Sequence, residues 1–195
     1  MRSLMHVLII IGLSAGTAEM AAAKCVSGDC QNGSGVYTWD SGVKYDGQWK
    51  DGNMEGAGTY YFKNGDEYRG EFKKDMMHGK GSIVWKNGNK YEGDFFEDKM
   101  QGTGTYYFQN GDVYTGDFKD GKMNGKGAMT WKNGNKYEGD FKDGNMDGSG
   151  VYYFKSGDRY EGEFKDDNMH GKGKYFHKSG TITEGNFEKG KYLGK

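Results

Sequence analysis

A 23-residue unit recurs through most of the chain, and this repeat limits the possible fold more than any other feature. With Tyr45 as position 1, each unit has glycine at position 3, an aromatic residue at position 5, methionine at position 10 and glycines at positions 12 and 14. The tyrosines that open the six units are Tyr45, Tyr68, Tyr91, Tyr114, Tyr137 and Tyr160. Such copies are expected to stack into an array in which each unit contacts mainly its neighbours.

The repeat divides the chain into four segments. Residues 45–182 hold the six units, residues 24–44 a half unit recognisable by Gly35 and Trp39, and residues 183–195 a partial unit with Gly185 and Phe187. The two incomplete units are expected to cap the array, because terminal repeats usually deviate from the consensus. Residues 1–23 have a different character and are considered below.

Each unit has the alternation of two short strands. Positions 1, 3 and 5 alternate with polar positions 2 and 4, and positions 14, 16 and 18 repeat the pattern, which is the period of a half-buried strand. No window has helical periodicity. With 36 glycines, 15 tyrosines, 11 phenylalanines and no proline, the composition favours pleated strands joined by many turns.

The turn at positions 19–21 fixes how consecutive units pair. A two-residue Asn-Gly loop would place the aromatic residues of the two strands on opposite faces, whereas a three-residue loop ending in a left-handed glycine places them on one face. The three-residue loop is therefore predicted, with Gly58 opposite Gly70 and Tyr60 opposite Tyr68. The predicted fold is all-β, an elongated single-layer antiparallel meander of about 14 hairpin strands, roughly 65 Å long at ~4.8 Å per strand.

A second period of 46 residues lies over the first. Position 18 alternates between phenylalanine and tryptophan, position 22 between aspartate and asparagine, and position 17 is tyrosine in every second unit. Either duplication of a pair of units or a regular ligand stripe would explain this period. The candidate binding face consists of Tyr61, Tyr107, Tyr153, Trp49, Trp85 and Trp131.

The N-terminal residues resemble an export signal. Arg2 precedes an apolar stretch over 4–13, and residues 21–23 are alanines that suit a cleavage site. Residues 1–23 are therefore predicted to be a signal peptide, and the protein to be periplasmic or extracellular; an uncleaved anchor and a lipoprotein are the alternatives. Cys25 and Cys30, in an exported chain, are expected to form a disulfide.

The pattern Tyr-x-Gly-x-Phe/Trp-x-x-Gly-x-x-x-Gly-x-Gly closely resembles the MORN (membrane occupation and recognition nexus) repeat family. Residues 45–58 and 114–127 match it fully, and the resemblance covers about 33–194. Asp75, Asp98 and Asp167 replace the first turn glycine, so those turns are expected to differ. The resemblance implies arrays of β-hairpins that serve as protein scaffolds, dimerise or associate with membrane lipid.

No catalytic, cofactor or metal site is expected. Asp143–Gly148 matches the first half of an EF-hand loop but lacks its closing glutamate, and the carboxylates at positions 2 and 4 recur in most units, as on a solvated face. The formal net charge of −1 argues against nucleic-acid binding. The methionines at position 10 are assigned to the longer turn, where they fold back over the sheet edge.

Two functions are therefore considered. The leading hypothesis is a non-catalytic protein-binding or self-associating scaffold, because a single-layer sheet with an aromatic face leaves apolar surface for a partner. The alternative is binding to a phospholipid membrane surface or to cell-envelope glycan, on which regularly spaced aromatic rings could rest.

Overall fold

A computed structural model of the chain describes residues 23–195. Over these residues the chain forms one open sheet of 16 antiparallel strands, whose order in space is their order in the sequence. The described part contains no helix, and so none long and apolar enough to cross a membrane. The strands are β1 (Lys24–Gly28), β2 (Ser34–Thr38), β3 (Lys44–Lys50), β4 (Asn53–Tyr61), β5 (Glu67–Lys73), β6 (Met76–Val84), β7 (Lys90–Phe96), β8 (Lys99–Tyr107), β9 (Val113–Lys119), β10 (Lys122–Thr130), β11 (Lys136–Lys142), β12 (Asn145–Tyr153), β13 (Arg159–Lys165), β14 (Asn168–Phe176), β15 (Ile182–Glu188) and β16 (Lys191–Gly194).

The all-β single-layer meander predicted from the repeat is confirmed. It has 16 strands rather than about 14, because both ends of the array extend it. At the start, β1 pairs with β2 and carries Cys25, which is disulfide-bonded to Cys30 as predicted. At the end, β16 pairs with the second half of β15. The predicted signal peptide, apart from Ala23, lies outside the described residues.

The hairpin between consecutive units has the predicted three-residue loop. In the first such loop, Phe62 N–H donates to the Asp66 carbonyl over 2.9 Å, and Gly65, at φ +92°, donates back to the Phe62 carbonyl. Tyr60 pairs with Tyr68 and Gly58 with Gly70. The aromatic positions of neighbouring units therefore share one face, called the core face below; the opposite face is the outer face.

The hairpin within each unit differs from the prediction. The turn has only two residues, Asp51 and Gly52 in the first unit, both with positive φ, as in a type I′ turn. Met54 consequently lies in β4, paired with Trp49 and only 7% exposed. The extra residues are absorbed by a bulge in which Gln48 alone faces residues 55–57. Placing the methionines in a long turn was wrong.

The aspartates that replace the turn glycine do not change the backbone. Lys74 and Asp75 have φ of 50° and 68°, like Asp51 and Gly52, and Asp75 N–H donates to the Met54 carbonyl as Gly121 N–H does to that of Met100. The Asp75 carboxylate also accepts the Met54 N–H over 2.7 Å. Asp98 and Asp167 repeat this contact. The expectation that these turns differ was therefore wrong for the backbone, and the aspartates instead link each turn to the preceding unit.

The core is a row of buried tyrosines, each lying across a pair of glycines. Tyr137, for example, is fully buried, and its hydroxyl donates to the Asp140 carbonyl over 3.0 Å. A side chain at Gly139 or Gly150 would collide with its ring. Phe141 and Phe164 meet the ring edge-on, at centroid distances of 5.2 and 4.8 Å. The same arrangement in six units is why a single layer can enclose a core.

Candidate functional site: an aromatic trough on the core face

The core face is a trough that runs along the array, across the strands. Its floor is the buried row of aromatic residues at positions 1 and 5, and the partly buried residues at positions 16 and 18 pack against this row on one side. The methionines at position 10 pack against it from the other side. A cavity of about 350 Å³ near the C-terminal end is lined from both sides, by Trp131, Tyr152 and Phe154 and by Met146 and Met169.

The aromatic side of the trough explains the 46-residue period. The tyrosines at position 16 of the third and fifth units each follow a unit that has tryptophan at position 18 and asparagine at position 22, whereas Tyr175 in the sixth unit follows Phe154 and Asp158. Trp85 packs against Tyr106 at 5.4 Å between ring centroids, and Asn89 Nδ2 donates to the Tyr106 hydroxyl over 3.0 Å. Phe108 packs on the other side of Tyr106, at 4.6 Å.

The same group recurs two units later. Trp131 lies 5.2 Å from Tyr152, Asn135 Nδ2 donates to the Tyr152 hydroxyl over 2.9 Å, and Phe154 lies 4.6 Å from Tyr152. These two groups are called cluster 1 (Trp85, Asn89, Tyr106, Phe108) and cluster 2 (Trp131, Asn135, Tyr152, Phe154). Trp39, Tyr60 and Phe62 form a similar group without the asparagine, since Val43 stands at that position.

Between the clusters, the junction of the third and fourth units has a different chemistry. Buried Met129 replaces tyrosine at position 16, and Asp112 replaces asparagine at position 22. The Asp112 carboxylate accepts the Lys132 N–H over 2.8 Å and Asn110 Nδ2 over 2.7 Å, and in the described residues it has no salt bridge. The trough therefore presents aromatic clusters with a half-exposed carboxylate between them.

The cluster hydroxyls remain protonated at neutral pH. Burial raises the pKa of Tyr106 and Tyr152, and the amide groups of Asn89 and Asn135 oppose that rise only in part. Because the asparagine already donates to the phenol oxygen, the phenol's own proton is available to another acceptor. Each cluster thus combines flat apolar surface with one hydrogen-bond donor.

The residues predicted as a binding face do not share one surface. Tyr61, Tyr107 and Tyr153 lie on the outer face and are 37%, 38% and 36% exposed; Lys44 Nζ lies 4.9 Å from the Tyr61 ring centre. Trp49 is 8% exposed in the core, and its Nε1 donates to the Gly35 carbonyl.

Trp49 belongs to the buried floor of the trough, whereas Trp85 and Trp131 line its aromatic side, each as part of a cluster. The other cluster residues, Tyr106, Phe108, Tyr152 and Phe154 with the two asparagines, were not singled out from the sequence. Their signal was present in the joint alternation of positions 16, 18 and 22. In the described residues, no group of histidine, cysteine, aspartate and glutamate side chains is arranged to hold a metal ion.

Comparison with solved structures places the sheet among known folds. The TCP domain of Drosophila melanogaster SAS-4 (dCPAP), solved in complex with a proline-rich motif of Ana2 (dSTIL), superposes with a TM-score of 0.52 at 10% identity and covers 93% of this chain and 99% of that domain. The Danio rerio CPAP TCP10 domain, solved with a STIL peptide, gives a TM-score of 0.28 at 15% identity over 85% of this chain and 83% of that one. The likeness to the SAS-4 domain is one of fold.

A search of curated proteins returned no match. The family model for the MORN repeat, in contrast, matches seven consecutive segments: 31–44, 45–67, 68–90, 91–113, 114–136, 137–159 and 160–182. These segments cover well over half of the chain, and they contain the tyrosine–glycine floor and both clusters. The chain therefore belongs to the MORN repeat family.

Proposed function

We propose that the protein is a non-catalytic scaffold that binds an extended segment of a partner protein in the trough. The observation that carries this proposal is the pair of equivalent clusters, each exposing aromatic surface and a phenol proton beside a carboxylate. Aromatic side chains with one polar end are enriched where proteins bind each other. The SAS-4 domain, which has the same fold, was solved with a proline-rich segment bound, which supports a peptide partner here.

The array is suited to this role because hydrogen bonds join consecutive units where the clusters lie. Position 22 of each of the first five units accepts a backbone N–H of the next, as Asn89 does from Gln109 over 2.8 Å. The clusters are therefore held at fixed separations before a partner arrives, which lowers the ordering penalty of binding.

Export of the protein is part of the proposal. The apolar N-terminal stretch and the Cys25–Cys30 disulfide support it, because disulfides persist in oxidising compartments. Self-association is the related possibility, which sedimentation velocity at several protein concentrations tests directly.

The test is selection of displayed protein fragments on the purified full-length chain. Trp85→Phe/Trp131→Phe alters both clusters with a residue that position 18 carries in alternate units, so the variant should fold. Tyr107→Thr/Tyr153→Thr is the matched outer-face control, since Thr130 occupies that position naturally. Selected fragments should lose affinity for the first variant and keep it for the second; equal affinity for both would overturn the proposal.

Membrane binding is the second candidate, and the outer face favours it. Its three exposed tyrosines, Tyr61, Tyr107 and Tyr153, each pair across the strands with a lysine, a combination suited to an anionic lipid surface. Co-sedimentation with phosphatidylserine vesicles that is abolished by Tyr107→Thr/Tyr153→Thr would support this candidate. Protein that stays in solution would exclude it.

A further inference from the structure

The spacing of the clusters specifies the conformation of the segment that fits them. Cluster 1 and cluster 2 are 46 residues apart in sequence, which is four strands of the sheet. At about 4.8 Å per strand their separation along the trough is about 19 Å. A polyproline II segment rises about 3.1 Å per residue, so six residues also span about 19 Å.

Six residues are two full turns of a polyproline II helix, which has about three residues per turn. Two side chains six apart therefore point in the same direction and can enter both clusters together. Two side chains that are five or seven residues apart would match neither the separation of the clusters nor a common direction.

The charge of the trough adds a second requirement. Asp112 lies in the loop after β8. Its carboxylate accepts the backbone N–H of Lys132, which lies in the loop after β10. Cluster 1 extends from Trp85 to Phe108 and cluster 2 from Trp131 to Phe154, so the carboxylate lies midway between them. The residue at i+3 of a polyproline II segment faces the same side as residues i and i+6 and lies at this point, where a cation would complement a carboxylate that accepts two hydrogen bonds but forms no salt bridge in the described residues.

The hydrogen-bonding pattern favours the same conformation. Polyproline II has no internal hydrogen bonds, and its carbonyls are free to accept the phenol protons of Tyr106 and Tyr152. A β-strand that spans the same distance would place the side chain of residue i+3 on the face opposite residues i and i+6, and so away from Asp112, because its side chains alternate with a period of two.

We infer that the trough recognises a polyproline II segment with apolar residues at i and i+6 and a basic residue at i+3, held by cluster 1, cluster 2 and Asp112. This inference rests on the proposed function and adds the chemical class of the partner.

The test uses polyproline peptides that carry two leucines and one arginine, titrated into the full-length protein by calorimetry. The peptide with leucines six apart and arginine midway should bind about tenfold more tightly than peptides of the same composition with leucines five or seven apart, as expected when one anchor is lost. Replacing its arginine by glutamine should weaken binding to the wild type.

Asp112→Asn is the decisive variant. Asparagine occupies this position in alternate units and retains the acceptor for Lys132 N–H, so the fold should persist. The variant should lose the preference for arginine over glutamine, whereas Asp46→Asn on the outer face should keep it. Equal affinities for the three spacings, or an arginine preference that survives in Asp112→Asn, would overturn the inference. If selected fragments bind the trough but no polyproline peptide does, the inference is overturned and the proposed function stands. If no fragment binds at all, both the inference and the proposed function fail.

Discussion

Replacing one glycine beneath a core tyrosine should disrupt the array at its centre. Gly150 lies under the Tyr137 ring, and a methyl group added there would sit about 2.5 Å from the ring carbon Cζ. The backbone of Gly150 is not in the left-handed region, so Gly150→Ala introduces a collision without backbone strain. The ring must therefore move away from the strand.

The magnitude follows from what the ring loses. Its hydroxyl gives up the hydrogen bond to Asp140, which is worth about 1 kcal/mol. Its edge-on contacts with Phe141 and Phe164 are each worth about 0.5–1.5 kcal/mol, and overpacking adds about 1–3 kcal/mol. We expect a loss of about 3–7 kcal/mol, which at a urea dependence of about 2 kcal/mol per molar lowers the midpoint by about 1.5–3.5 M.

The assay is urea unfolding, with amide hydrogen exchange of β11, β12 and β13 measured alongside because repeat arrays can unfold in parts. Ser149→Ala is the matched control, since its side chain is exposed and Ala57 occupies the same position in the first unit. It should change stability by less than about 0.5 kcal/mol. If Gly150→Ala had the same urea midpoint as Ser149→Ala, the account of the core would be refuted. It would also be refuted if Gly150→Ala cost as much stability in a Tyr137→Leu background as in the wild type.

Three further predictions concern the turns, the phenols and the first strand. In thermal unfolding, Asp75→Asn should be nearly neutral, Asp75→Gly mildly destabilising and Asp75→Ala destabilising by about 2 kcal/mol. Alanine cannot accept the Met54 N–H and is strained at positive φ. Equal losses for alanine and asparagine would contradict this role of Asp75. Burial raises the pKa of Tyr45 and Tyr160 from 10.0 to about 12. Because the pKa is raised in the folded state, these phenols contribute stability that is complete below pH 10 and is lost as pH rises through 12. Absorbance titration should therefore show them ionising together with unfolding, and ionisation near pH 10 in folded protein would contradict this prediction. Replacing both Cys25 and Cys30 by serine should speed amide exchange in β1 and β2 and leave β7–β12 unchanged; faster exchange throughout would show that the disulfide stabilises the whole array.

The pairing between units followed from sequence because one physical condition decides it. Only a three-residue loop keeps the aromatic residues of both strands on one face, and the structure has that loop, with Gly58 opposite Gly70. The hairpin within each unit lacked such a condition. The separation between Trp49 and Gly58 can be filled by a long turn or by a short turn with a bulge, and both keep the aromatic alternation. The positive-φ preference of Asp-Gly favours the short turn, and that signal was available at residues 51–52.

The clusters were harder to predict because their contacts join different units. Asn89 and Tyr106 are 17 residues apart, and Trp85 and Tyr106 are 21 apart, distances that no local pattern covers. The sequence showed that positions 16, 18 and 22 alternate, but the reason becomes visible only once the three side chains are placed together. The same lack of placement led to a candidate binding face that combined Trp49 from the core with tyrosines from the outer face.

The alternation makes a final prediction about how units can be joined. Deleting residues 91–113 removes one unit and brings Trp85 and Asn89 against Met129, which cannot accept the asparagine hydrogen bond. Deleting residues 91–136 removes two units and brings the same pair against Tyr152, which restores both contacts.

The two deletions are otherwise matched at the new junction. Both replace Asp98, which accepts the Met77 N–H, by a glycine at the corresponding turn position, Gly121 or Gly144. The longer deletion should therefore give the better protected junction, by about 1–3 kcal/mol for one hydrogen bond and one aromatic pair, although it leaves the shorter array. Amide exchange at the first residue of the next inter-unit loop, whose N–H would donate to Asn89 and which is Lys132 in one protein and Lys155 in the other, measures the difference. Equal protection would mean that single units are interchangeable and that the 46-residue period has no structural role; better protection after the two-unit deletion would establish the pair of units as the element from which the trough is built.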